Sequence, residues 1–513
     1  MQDAIRLALQ QNNDIKASET DVRIAEFALG GARGAYDPSF SSENYFQRST
    51  APSSSSLTGT QPVTERSFST VTGVSGRVPR FGGSYSAQLS TSRIGSTSPF
   101  NTLNPQYPSS FSIEYRQPLW RGLRTDETRR SIEVAKKNVS LSDAQFRQRV
   151  VETISNIETA YWNLAYALRN VQVQQSAVRD AQAQLDSNKR QVDEGVLAPV
   201  DIVQAQSQLA TLQQNVYTAK EQVTSYENTL KALILLNRED ANWARAITPT
   251  SEVSIEIPRV TLREAIESAL KNRPELAQLQ TSKEINQINT RFYRDATKPQ
   301  IDLVAGYTTQ GLAGTSLSGG TNPFANTALT NRVNDLSVLA GLPPLPTTPT
   351  TPVGSGLSGG LFNSLGGLLS QDYPTYRAGV SVTLPIGNRT AKANLGSSLA
   401  EGTKLEYQIA QQRQNIESEV RTALEAVNAA EQRNKLATQV RELAATLYES
   451  ERRQAIAGTS TIYLVLQRQT ALVQAQAAEL QAQTDLNRTI SNLQRAIGAS
   501  LDSNGVKLQT NPR

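Results

Sequence analysis

The sequence contains neither cysteine nor histidine, and its only methionine is Met1. Without thiolate or imidazole there can be no Cys/His metal site, no Ser-His-Asp or Cys-His nucleophile and no disulfide frame. A lipid anchor on cysteine is not expected for these 513 residues either. A carboxylate-only site remains possible in principle. An excess of one charge is missing too: 51 basic residues face 46 acidic ones, for a net +5, with no long run of one sign. Nucleic-acid binding needs a concentrated basic stripe, so it is not expected. Long apolar runs are absent as well. Mean hydropathy is negative, and Ala232–Leu236, among the longest runs, has five residues, against about 20 for a membrane-crossing helix. No secretory signal opens the chain, which begins inside a helical pattern at Gln2–Leu9, so the natural N-terminus is expected to have been trimmed.

What the sequence does have, it has twice. Ala4-Ile5, Ala8-Leu9 and Asp14-Ile15 return as Ala265-Ile266, Ala269-Leu270 and Glu275-Leu276, at a shift of 261 that still holds for Ala35/Ala296 and Pro38/Pro299. Further on, Arg190-Gln191, Gly195, Gln204, Gln206, Leu209 and Leu230 match Arg453-Gln454, Gly458, Gln467, Gln469, Leu472 and Leu493, at a shift of 263. Each half therefore carries one plan: a short helical entry, a strand region and two long helices. Duplication on this scale suits a ring or tube better than a pocket.

The helical texture is very long. Val150, Ile154, Ile157, Tyr161, Leu164, Leu168 and Val171 step by fours and threes, and the stripe resumes at Val178, Ala181 and Leu185. That is a heptad seam for a partner helix. A second stripe runs from Ile202 through Leu209, Val216 and Val223 to Leu233, so the pair reads as a coiled-coil hairpin with its tip at Gly195–Pro199. Pro199 suits the first turn of the returning helix. Ile416, Val420, Ala423, Val427 and Ala430 climb toward a second tip near Gly458, with Leu472, Leu486 and Leu493 descending from it.

The other texture is β. Ser39–Ser49, Ser67–Val78, Gly83–Arg93, Ser110–Leu119, Gln300–Thr309 and Tyr376–Ile386 each tend to alternate polar and apolar residues, with aromatics interleaved. Ten-residue alternating segments between polar loops are the weak signature of a transmembrane β-barrel. An ordinary soluble sheet alternates as well. Placement twice between a short helix and a very long one favours the barrel. Gly311–Gln371, nearly uncharged apart from Arg332 and Asp335, reads as an exposed loop, as does Thr50–Glu65.

Four features, in this order and duplicated, resemble the TolC family of outer-membrane efflux proteins. Asp37-Pro38 and Lys298-Pro299 stand where the entry helix passes into a strand; Pro118-Leu119-Trp120 with Gly122 and Arg124, and Pro385-Ile386-Gly387 with Arg389, resemble the turn leaving the barrel. Glu194–Asp201 and Ala457–Ile462 resemble the two hairpin tips. The resemblance implies an α+β membrane protein: a trimeric outer-membrane β-barrel continued by a long periplasmic barrel of twelve helices in antiparallel coiled-coil hairpins. It also implies an exit channel, not an enzyme and without cofactor or metal, for an efflux or type I secretion system. Its partners would be a homotrimer of itself, outer-membrane lipid, a periplasmic adaptor protein and an inner-membrane pump or exporter. Nucleic acid is not among them.

On that plan, 1–36 is the first entry helix, 37–120 the first strands with exposed loops, and 121–198 with 199–240 the first hairpin. A linker at 241–260 leads to the second entry helix, 261–298, to strands at 299–387 with the long loop 311–371, and to the second hairpin, 388–457 and 458–498, with a tail at 499–513. Members typically carry two strands per half, and four per subunit is the expectation here, although the first half offers four candidates and Val78–Gly83 reads as an extra hairpin turn.

By resemblance, Gly195, Val196, Leu197, Gly458, Thr459 and Ser460 are tip residues that seat the adaptor. Asp201, Tyr463 and Gln467 form a periplasmic constriction. Ser460, Leu464 and Gln467 stand where some members hold an arginine and acidic residues, so Tyr463 and Gln467 would narrow the pore by bulk and hydrogen bonding rather than by an ionic lock. Each position has a plainer reading too: glycine closing a helix, Asp201 serving a helix dipole, Arg190 and Arg453 as solvated charge. Two rival functions remain, a structural coiled-coil protein of the periplasm and a carboxylate enzyme. The second needs acidic pairs converging in a cleft, and the acidic residues fall at scattered spacings.

Overall fold

The computed structural model describes residues 1–52, 61–98, 101–250, 259–317, 327–345 and 354–506. In chain order the elements are α1 (Gln2–Gln11), α2 (Asn13–Arg33), β1 (Ser39–Ala51), β2 (Val63–Arg77), β3 (Ser84–Ser96), β4 (Leu103–Pro118), α3 (Glu127–Asp193) and α4 (Pro199–Ile234). They continue with α5 (Leu262–Asn272), α6 (Pro274–Ala296), β5 (Gln300–Ser316), α7 (Thr327–Leu339), α8 (Leu361–Ser370), β6 (Tyr373–Thr383), α9 (Arg389–Ile456), α10 (Ile462–Ala496) and α11 (Ser500–Ser503). The chain forms two compact units: Met1–Leu29 with Ala135–Gln287 and Ala400–Arg513, and Gly30–Val134 with Ile288–Leu399.

In the first unit the heptad stripes are the core. Val150, Ile154, Ile157, Tyr161 and Leu164 of α3 are buried together with Ile5, Ala8 and Ile15 of the entry helices and Leu230 and Ile234 of α4. Ile416, Val420, Ala423 and Val427 of α9 close in the same way over Ala265 and Ala269 of α5, with Ile490 and Leu493 of α10. At the shift of 263 that holds at the tips, Val420 and Val427 stand where the first stripe has Ile157 and Leu164, so the second stripe carries smaller side chains. α3 and α9, of 67 and 68 residues, are each about 100 Å long at 1.5 Å per residue.

Each entry segment breaks at a buried polar residue. Asn12 accepts the N–H groups of Asp14 (2.9 Å) and Ile15 (3.1 Å), and its amide donates to the Leu233 carbonyl at 2.8 Å. It thus caps α2 and ties it to the end of α4. In the second half Pro274 forces the break, and Arg273, 7% exposed, donates to Glu275 at 2.8 Å and to Glu419, which also accepts from Arg495 at 2.6 Å. Burial would raise the Glu275 pKa, but the bonds from Arg273 and its own backbone outweigh it and the pKa is lowered. A second buried charge centre is Glu158 on α3, which accepts from Asn504 at 2.9 Å. Burial raises its pKa against the opposing bonds from Asn504 and Ser491.

The second unit is built on one six-stranded antiparallel sheet in sequence order. The expectation of four strands is therefore corrected: all four candidates of the first half are strands. The β2–β3 pair closes through Val78–Gly83, where the Val78 N–H reaches the Gly83 carbonyl at 2.7 Å and Phe81 and Gly82 take positive φ. The exposed-loop reading of 311–371 is also corrected. Gly311–Ser316 belongs to β5, and α7 and α8 are helical; the rest of that stretch at 318–326 and 346–353 lies outside the described residues. Likewise Thr50–Ala51 and Val63–Glu65 belong to β1 and β2, and 53–60 is outside the described residues.

Register separates the two sheet faces. One cross-strand row reads Phe40, Val74, Ala87, Ile113, Tyr307, Tyr376; the adjacent row reads Ser39, Ser75, Ser86, Glu114, Gly306, Arg377. Phe46, Phe68, Leu89, Phe111, Leu303, Val380 and Val382 share the apolar face; Ser41, Gln88, Ser112 and Thr308 share the polar one. The edge strands β1 and β6 are exposed throughout. No helix among the described residues is long and apolar enough to cross a membrane.

Two tests follow from the buried charges. Arg273→Ala leaves Glu275 without its partner and Glu419 with Arg495 alone, and should lower stability by about 3–5 kcal/mol, read as a fall in the circular-dichroism melting temperature in detergent. Because burial holds the folded Glu158 carboxyl above its ordinary 4.5, the folded chain keeps that proton longer than the unfolded one. Its contribution is therefore most favourable below pH 4.5 and declines as pH rises through the folded value. Glu158→Gln should flatten that decline in melts taken from pH 4.5 upward.

Candidate functional site: the hairpin tips

Both helical hairpins turn in the same way. Gly195, φ +78°, follows α3; its N–H bonds the Val192 carbonyl at 2.9 Å, and the Val196 N–H bonds Gln191 at 2.8 Å. Gly458, also φ +78°, bonds Ala455 at 3.1 Å, and Thr459 bonds Gln454 at 2.9 Å. These paired bonds are the Schellman closure of a helix end, which needs a residue with positive φ at the glycine position. A Cβ added at either glycine would meet no atom within 4 Å. The glycines therefore serve the backbone angle and not a close approach within the chain.

Beyond the turns, the expected tip residues point outward. Val196 is 70% exposed, Thr459 is exposed and Leu197 half-buried. Val200 and Val203 extend the exposed apolar line along α4. Ser460 is held back: its hydroxyl donates to Glu451, which also faces Arg468 at 3.8 Å. Neither Glu451 nor Arg468 stood out in the sequence, where surface Arg and Glu are common on every helix face. Arg190 and Arg453 form no ion pair among the described residues, in keeping with solvated charge.

The three expected constriction residues divide between the hairpins. On α10, Ile462, Val465, Leu466 and Gln469 form the buried stripe, which leaves Tyr463 and Gln467, one turn apart, on an exposed face. Asp201 lies on α4, where its carboxylate accepts the Ala198 N–H at 3.2 Å and caps its own helix. No hydrogen bond joins Asp201 to Tyr463 or Gln467 among the described residues. The hairpins themselves meet: Gln208 donates to Thr470 at 3.0 Å, Val473 packs on the cluster of Ala181, Leu185, Ala205 and Leu209, and a cavity of about 320 Å³ lies between Ser187, Arg190, Tyr448, Arg452 and Ile462.

Two buried amides near the tips also escaped sequence reading. Asn188 is fully buried and accepts from Gln184 at 2.8 Å, but its own NH₂ has no partner. Gln469 is 3% exposed, and neither its oxygen nor its nitrogen has a partner. Gln469 had appeared only as the mate of Gln206 in the duplication, and a polar residue carries no sequence signal of burial. Among the described residues no acidic cluster could hold a metal.

The family model for outer membrane efflux proteins matches residues 71–234 and 265–499, both halves of the duplication. The chain belongs to the outer membrane efflux protein family. Solved structures agree on the fold of this efflux-family chain. The outer-membrane channel OprN matches with TM-score 0.66 at 13% identity, over 97% of this chain and 89% of that one. The Campylobacter jejuni CmeC outer membrane channel gives 0.65 at 15%, over 97% and 85%. The open state of the Neisseria gonorrhoeae MtrE outer membrane channel gives 0.62 at 16%, over 98% and 89%. No curated protein matches in sequence.

Substitutions at the tips separate backbone from side-chain roles. Gly195→Ala and Gly458→Ala should each destabilise by about 1–2 kcal/mol through positive φ alone, seen as faster amide exchange confined to the adjoining turns. Gln469→Leu removes two unsatisfied buried groups and should stabilise the folded chain by about 1–3 kcal/mol, read as a higher melting temperature.

Proposed function

We propose that this chain is the outer-membrane exit channel of a tripartite efflux or type I secretion system, working as a homotrimer whose helical hairpins stand in the periplasm. The observation that carries the reading is the sheet: one face apolar, one face polar, and both edges open. An apolar face belongs against lipid and a polar one against water, while unpaired strand edges are prohibitive in a bilayer. The non-channel coiled-coil alternative leaves that apolar face without a matching solvent. Six strands are too few for a barrel with an open interior, whereas three copies supply about 18, within the porin range that encloses an aqueous channel. A barrel of that size is wider than four strands per subunit would allow.

The tips are the proposed gate and docking point. The exposed Val196 and Thr459 suit an adaptor, and Asp201, Tyr463 and Gln467 are the proposed constriction. At rest the hairpin ends pack closely; a docked adaptor spreads them in an iris-like movement of coiled coils. The unpaired amides of Gln469 and Asn188 support this, because buried groups without partners make close packing less favourable and separation easier. A passive conduit of this kind needs no catalytic group. The pump, not the exit duct, would choose the cargo.

Single-channel recording in planar bilayers tests the gate. The wild type should show small, mostly closed conductance, with Asp201→Ala and Gln467→Ala each raising it. A wide, constitutive wild-type conductance would overturn the closed resting state.

A further inference from the structure

The connection leading into β6 ends in a helix that turns two large apolar side chains outward. α8 (LFNSLGGLLS) buries Ser364 and Leu368 and leaves Phe362 86% and Leu369 87% exposed. Surface helices ordinarily turn their serines outward and their Phe and Leu inward. No charged residue occurs from Leu336 to Gln371.

Where α8 sits explains the buried serine. Ser109 and Gly311 are paired across β4 and β5, and alternation puts Thr309, Gly311 and Ala313 on the same face as Leu303, Ala305 and Tyr307, which is the apolar face of the sheet. Ser364 bonds the Ser109 hydroxyl there, and Gly311 leaves room for the Ser364 carbonyl where a Cβ would collide with it. Ala313, Ser109 and Thr309 are buried at this seat, at 0%, 4% and 3% exposure. The lead-in is fixed as well, by a bridge between Gly314 and Ser358 and by the Gly359 N–H on the Gly314 carbonyl at 3.0 Å.

We propose that α8 is a membrane-seated helix, lying on the lipid-facing side of the barrel wall and presenting Phe362 and Leu369 to acyl chains. The proposal rests on the barrel reading above. Its occupant is lipid because Phe362 and Leu369 stand outward over the apolar face of β5, on a connection that carries no charge between Asp335 and Asp372. The seat lies toward the strand ends remote from the β1 start and the β4 exit, so the helix meets the bilayer near one surface of the membrane. It thickens the apolar belt there and widens the footprint of each subunit.

The absence of native cysteine makes site-specific spin labelling direct. Phe362→Cys, Leu369→Cys, Val380→Cys and Val196→Cys would each be labelled in the full chain, in phospholipid vesicles. The readout is the ratio of relaxation by oxygen, which concentrates in lipid, to relaxation by a water-soluble nickel chelate. Labels at 362 and 369 should match 380 on the barrel face and exceed 196 at the tip several-fold. If 380 reports lipid while 362 and 369 report water, the helix proposal is overturned and the barrel stands. If 362 and 369 are immobilised and shielded from both reagents, a second copy covers the helix, and the proposal again fails. If 380 itself reports water, the barrel reading falls and takes the proposal with it.

Discussion

Unpaired amides and carbonyls along β1 and β6 are the constraint from which the rest follows. In the proposed barrel the apolar face sheds water into lipid, and in lipid a strand edge has nothing to bond except another strand. On that reading the sheet is completed by neighbouring copies. Its polar face, lined by serines, Gln88 and Arg377, acquires a purpose only when several such sheets enclose water. That requirement bears on stability as well as transport, because apolar strand faces left in water are aggregation sites.

Duplication meets a different constraint in the helices. A rod as long as α3 cannot be stable alone, and its seam needs both a returning partner and an entry helix. The chain solves this twice with the same positions, Ala8 and Ala269 fully buried beneath the two stripes. The polar residues at the two entry breaks differ completely, an amide at Asn12 and a guanidinium network at Arg273, yet each ties the entry segment to a long helix. The plan was conserved between halves in shape more than in chemistry.

Legibility in the sequence followed the same division. Stripes such as Val150–Leu164 were plain because steps of three and four over many turns have few other causes. The tips were plain because a glycine after a long helix, followed by proline or threonine, has a strong geometric reason. Strand number was not, since Ser/Thr-rich alternation is equally compatible with loops; β1 and β2 had no buried face to sharpen their pattern. α8 was missed because its Gly, Ser and Leu content matches a loop until the sheet beneath it is known. Gln469 and Glu451 were invisible for a further reason: burial and pairing of polar groups depend on which helix lies opposite, and periodicity does not encode that.

The unequal stripes bear on symmetry. Contact side chains set helix spacing, so Val420 and Val427 favour a closer approach of axes than Ile157 and Leu164 do. In the proposed trimer, thick and thin hairpins then alternate around the ring. A tube made from six similar hairpins would thereby keep threefold order, three slender sectors alternating with three stout ones.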